Sequence, residues 1–171
     1  MKTLILGGYG NFGARIARAL APQFGASLLV AGRDGPRAQA LATTLGYGVQ
    51  GIGIDLSKPA FADELADLGV ELLIHTAGPF QAQDYAVARA AAAAGAHYID
   101  LADGRRFVCD FSQSLHATFA SAGRIAISGA STLPALSSAV VDHLCADWHH
   151  IDTIDICIAP GQTAQIGRAH V

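Results

Sequence analysis

Apolar residues in this chain fall into short uninterrupted runs, separated by stretches where they recur every three or four positions. Residues 3–6 and 27–31 are runs of the first kind, as expected for strands of a parallel sheet covered on both faces, and 71–76, 97–101 and 124–128 read as further strands. Residues 49–55 alternate and suggest a further strand, weakened by Gly51 and Gly53. Between the runs, Phe12, Ile16, Ala19 and Leu20 keep helical spacing, as do Ala38, Leu41, Ala42 and Leu45, then Phe61, Leu65 and Leu68. Phe107, Phe111, Leu115 and Phe119 step by four along another helix, and two more are expected over 84–94 and 134–145. Strand and helix alternate six times. That order predicts an α/β fold with a doubly wound parallel sheet, because each crossover helix must pack back onto the sheet.

The first strand runs directly into a glycine-rich turn. Gly8, Gly10 and Gly13 are spaced G-x-G-x-x-G, and Gly7 adds a second phase, Gly7-Gly10-Gly13. In this pattern the first glycine permits a tight turn, the second lets a pyrophosphate approach the backbone, and the third lets helix and strand pack closely. The helix beyond offers N–H groups and the positive end of its dipole. Gly7, Gly8, Tyr9, Gly10, Asn11, Phe12 and Gly13 are therefore the expected dinucleotide-phosphate loop of a Rossmann-like NAD(P)-binding domain.

The second strand ends in Gly32-Arg33-Asp34, about twenty residues beyond the loop, where the ribose is read. A carboxylate there binds the 2′-hydroxyl of NAD, whereas the planar donor fork of Arg33 suits a 2′-phosphate. NADP is expected ahead of NAD, which stays possible with Asp34 on the ribose; Asp34 could equally cap the next helix. Asp55 could meet an adenine amino group or cap a helix. Thr76, Ala77, Gly78 and Pro79 follow the fourth strand, at the edge where open parallel sheets bind ligands, with Gly78 open to a nicotinamide ribose. Asp103 and the loop 129–132 close the same edge. Asp103 is the candidate acid or base, although loop aspartates commonly just end turns. His75 reads as a core histidine. Tyr85 lacks the lysine of a Y-x-x-x-K pair, since position 89 is Arg89.

Composition narrows the remaining classes. Net charge is −3 with no basic cluster, which argues against a nucleic-acid surface, and the implied partner is a small-molecule substrate. Charged residues make up 15% and hydrophobic ones 51%, so most of the chain is expected to be buried. Cys109, Cys145 and Cys157 show no C-x-x-C spacing and fit reduced thiols in a cytoplasmic protein. No metal site is expected, since His149 and His150 near Asp147 lack a third ligand. Residues 125–141 carry no charge, but Gly129, Pro134 and the serines make a poor membrane span.

The expected division is a cofactor domain over 1–148, the first strand of an incomplete second domain over 149–165, and a tail over 166–171. Residues 153–159 alternate polar and apolar, as one face of a new layer would. The tail matches one reading frame of a common sequencing-library adapter and is expected to be non-native.

Gly7-Gly8-Tyr9-Gly10-Asn11-Phe12-Gly13, Ala31-Gly32-Arg33, Thr76-Ala77-Gly78-Pro79-Phe80 and Tyr98-Ile99-Asp100-Leu101, in that order, resemble the saccharopine dehydrogenase-like oxidoreductases over about residues 1–160. The resemblance implies an NADP-linked hydride-transfer enzyme whose second α/β domain holds most of the substrate site. The present chain would be a C-terminally truncated piece that keeps the cofactor half and does not turn over alone. Its oligomeric state stays open, with a homodimer through the missing domain as one arrangement. Saccharopine-reducing members tend to show a Pro-Gly pair where this chain has Pro134-Ala135, a departure that leaves the fold resemblance intact and counts against an amino-acid substrate. A non-catalytic dinucleotide sensor would use the same loop. An S-adenosylmethionine methyltransferase usually wants an acid where Arg33 stands, and ranks last.

Overall fold

The computed structural model describes residues 1–157. Six strands form one sheet: β1 (Thr3–Leu6), β2 (Leu28–Gly32), β3 (Gln50–Gly53), β4 (Leu72–His75), β5 (His97–Asp100) and β6 (Ala126–Ile127). They lie in the order β3-β2-β1-β4-β5-β6, and every pairing is parallel. The helices are α1 (Asn11–Phe24), α2 (Gly35–Leu45), α3 (Phe61–Asp67), α4 (Ala86–Ala93), α5 (Arg105–Ala122) and α6 (Ser137–Leu144). The strand order reverses between β1 and β4. That places a crevice beyond the carboxyl ends of those two strands.

The central strands β1 and β2 are buried on both faces, which is why they read as almost unbroken apolar runs. Leu4, Leu6, Leu29, Leu73 and Tyr98 face one core, packed by Phe61 and Leu65 of α3, Val87 and Ala91 of α4, and the four expected residues of α5. Ile5, Leu28, Val30 and Ile74 face the other, under Ala17 and Ala21 of α1 and Ala38 and Ala42 of α2. The small residues on that side let α1 and α2 approach closely. The glycine that weakens the third strand in sequence has the same cause: a Cβ on Gly51 would lie 2.3 Å from the backbone of Ala38 and Gln39.

Several boundaries shift for local reasons. The helix expected from residue 84 begins at Ala86, where Asp84 Oδ1 accepts the Ala86 N–H. The expected face of α1 is displaced. Gly13, Ala17 and Ala21 are its buried residues, while Phe12 is 58% exposed. The helix expected over 134–145 starts as a single wide turn (Thr132–Leu136) before α6, and no residue of α6 is buried. Residues 153–157 have no regular secondary structure, and the rest of the strand expected over 153–159, like the tail 166–171, lies outside the described residues.

Candidate functional site

The glycine turn is tied to the sheet before any side chain is considered. The N–H groups of Gly7 and Gly8 both donate to Ala31 O, at 2.9 and 3.0 Å, and Gly10 N–H donates to Gly7 O at 2.8 Å. The left-handed backbone falls on Gly7, at φ +77°, so the tight-turn role belongs to the Gly7 phase of the motif and not to Gly8. Gly13 supplies the close packing: a Cβ there would lie 2.3 Å from Gly7 O and 2.8 Å from Thr76 Oγ1. Gly10 is exposed, and as the N-cap of α1 it brings no capping side chain of its own. The first turn of α1 contains no acid. A glycine-rich loop therefore meets, at the crevice, a positive helix terminus with no acid in its first turn, and this cradle fits a diphosphate. Asn11 and Phe12 are exposed on the same turn.

At the carboxyl end of β2, Arg33 is exposed. Asp34 caps α2, its Oδ1 accepting the Arg37 N–H at 3.0 Å. Of the two roles open to Asp34 in the sequence, capping is the one its hydrogen bond describes. Tyr9 reaches across to this turn, its hydroxyl accepting the Asp34 N–H at 3.0 Å, and the Arg37 guanidinium stands 4.8 Å from the Tyr9 ring centre. Asp55 follows β3 and turns back on itself. Its Oδ1 accepts the N–H and hydroxyl of Ser57 at 3.0 and 2.8 Å. Those two bonds, with smaller help from Lys58 and Arg33, hold its carboxyl below the usual range.

The loop after β4 packs directly against the glycine turn. Thr76 donates both its N–H and its hydroxyl to Leu6 O, at 2.9 and 2.8 Å, so its side chain pins β4 to β1. Gly78 and Pro79, joined by a cis peptide bond, are exposed beyond it, with Ala77 half-buried between. Gln83 staples this loop: its Nε2 donates to Ala77 O at 2.8 Å and Pro79 O at 3.0 Å. Its Oε1 then faces His75 Nε2 at 3.1 Å, which makes that nitrogen the protonated one. His75 is buried, its Nδ1 has no partner, and burial pushes its pKa down to about 4. It is a neutral core histidine, as its strand position predicts.

Asp100 pairs in register with His75 on the neighbouring strand and is fully buried. Its Oδ1 accepts from the N–H groups of Ala102 and Gly129 and from Ser128 Oγ, while Oδ2 has no partner. The carboxylate clamps the loops after β5 and β6 together, and its charge joins burial in pushing the Tyr98 phenol up. Asp103 is exposed on the same edge, with Oδ1 accepting from Gln81 Nε2 at 3.1 Å. Tyr85 donates to Phe107 O, a structural bond in keeping with its lack of a lysine partner. Among the described residues no group of three metal-ligating side chains occurs, and no helix is long and apolar enough to cross a membrane. Arg37, Gln83 and Asp100 are the site-edge residues that spacing alone does not reveal. Each gains its place from a tertiary contact.

Fold and site together define an α/β dinucleotide-binding domain. The chain belongs to the family of the saccharopine dehydrogenase NADP binding domain, which matches residues 3–127. No curated protein matches it. Among solved structures it is similar to a sorbitol-6-phosphate 2-dehydrogenase from Erwinia amylovora (18% identity, TM-score 0.54, 74% of this chain and 69% of that one). It is also similar to a triphenylmethane reductase from Citrobacter sp. complexed with NADP(H) (19%, 0.55, 72% and 48%). An oxidoreductase of the short-chain dehydrogenase/reductase family from Burkholderia thailandensis is a third (20%, 0.53, 83% and 75%). At such identities the likeness is one of fold.

Proposed function

We propose that this chain is the cofactor-binding part of an NADP-dependent oxidoreductase that moves a hydride to or from a carbonyl, an imine or another carbon–nitrogen bond. The observation that carries the reading is the bare glycine turn at the foot of α1, with Arg33 standing where an NAD-specific domain places an acid. Bound NADP supplies the hydride chemistry. The protein's residues bind and orient: the turn from Gly7 to Gly13 takes the diphosphate, Arg33 the 2′-phosphate, and Ala77, Gly78 and Pro79 line the nicotinamide end. Asp103 is the candidate acid or base, being exposed on the carboxyl edge of the sheet.

A second reading, a non-catalytic dinucleotide sensor, draws on one observation. His75 and Asp100, the titratable groups nearest the crevice on β4 and β5, are buried away from any substrate. Titration of the purified chain with NADPH, NADH and S-adenosylmethionine separates the cofactor classes. Tighter binding of NADPH is expected, with Arg33→Glu reversing the preference. Equal affinity for NADH, or binding of S-adenosylmethionine alone, would refute the assignment. Turnover by a longer form of the protein with carbonyl and imine substrates distinguishes enzyme from sensor.

A further inference from the structure

We infer that Arg37 is a second ligand for the 2′-phosphate of NADP and that Tyr9 positions it; this rests on the dinucleotide reading above. Tyr9 is seated on the β2–α2 turn at three places. Its ring occupies the space beside Gly32, where a Cβ would lie 2.5 Å from Tyr9 Cε1. Its hydroxyl is fixed by the Asp34 N–H. The Arg37 guanidinium then packs over the ring, and the Arg37 N–H is held by Asp34 Oδ1. Backbone and side chain of Arg37 are thus each held by a neighbour, at the first turn of α2.

The charge balance around this turn favours an anion. Arg33 and Arg37 are both exposed, and among the described residues neither forms an ion pair. The two nearby acids are directed elsewhere: Asp34 to the helix end and Asp55 to Ser57. An aromatic face attracts a guanidinium without neutralising it, so Arg37 keeps its full charge and its donors for a ligand. Two guanidiniums flank one turn, while the carboxylates beside them, Asp34 and Asp55, are engaged by the Arg37 N–H and by Ser57, so the arrangement favours a ribose phosphate over a free hydroxyl.

Calorimetric titration of the full chain with NADPH, NADH, 2′,5′-ADP and 5′-AMP tests this. Arg37→Ala is expected to weaken NADPH and 2′,5′-ADP by about tenfold or more, the worth of one charge-assisted hydrogen bond. NADH and 5′-AMP should stay within about twofold, since they lack the group that such a bond would hold. Tyr9→Leu should lower the NADPH-to-NADH ratio, Tyr9→Phe should restore most of it, and Tyr9→Leu should add nothing to that ratio when Arg37 is already alanine. Equal weakening of all four ligands by Arg37→Ala, or no weakening of NADPH, would overturn the inference. So would Tyr9→Phe behaving like Tyr9→Leu, or full additivity of the two losses. If the unmutated chain fails to prefer NADPH, the Arg33 reading falls as well. If it prefers NADPH while Arg37→Ala changes nothing, that reading stands and only this one is lost.

Discussion

His75 shows how burial governs a titratable residue at an edge where chemistry is expected. With one nitrogen bonded to Gln83 and the other unpartnered, the imidazole is depressed to about 4 from its ordinary 6.5. The unfolded chain therefore binds a proton in a pH range where the folded one does not. Stability from this group is complete above pH 6.5, falls as pH drops towards 4, and levels off below. At about 1.4 kcal/mol per pH unit the total is roughly 3 kcal/mol. Urea melts at pH 7 and 4.5 should show this slope, and His75→Phe should remove most of it. An unchanged slope in the variant would place the acid sensitivity elsewhere. Single residues also mark where sequence stops being legible. Arg33 can be read from its distance to the glycine loop. Arg37 cannot, because its significance comes from a tyrosine 28 positions earlier in the chain.

Among the elements, the junction of β1, α1 and β4 decides whether the crevice exists. Gly13 lies against Gly7 O and Thr76 Oγ1, and Thr76 in turn is bonded to Leu6 O. A valine at 13 would force the helix off the turn, because backbone atoms cannot yield as a flexible side chain can. Overpacking of this kind typically costs about 1–3 kcal/mol. Gly13→Val should therefore lower the melting temperature and abolish NADPH binding, read by thermal denaturation and by titration. Retained affinity would show that the turn does not carry the ligand. The elements themselves were largely visible beforehand. Residues 4–6 and 28–31 are apolar throughout because both sheet faces are covered there, and the four-step of Phe107 to Phe119 is the buried face of α5. The same pattern misplaced Phe12 because small residues, not large ones, mark a helix packed against a glycine turn.

For the molecule as a whole, the order β3-β2-β1-β4-β5-β6 puts the reversal point, the glycine turn, Arg33 and the loop after β4 on one edge. Alternation of strand and helix was enough to predict a parallel sheet with these loops on its carboxyl edge, but not the strand order or where it reverses. Two devices stayed hidden: the Gln83 staple, which is a side chain bonding to carbonyls, and the Asp100 clamp, which joins loops 28 and 29 residues apart. Neither leaves a periodic trace. Beyond β6 the picture changes, since Leu136, Val140, Leu144 and Trp148 are all exposed. The expected division at residue 148 remains a proposal. The central claim concerns the opposite end of the chain, and amide-resolved NMR during titration with NADPH tests it most directly. The account predicts that the largest shifts fall on the N–H groups of Gly10, Asn11 and Phe12, with a second set at Arg33 and Arg37. Saturable binding that leaves those amides unmoved would contradict it.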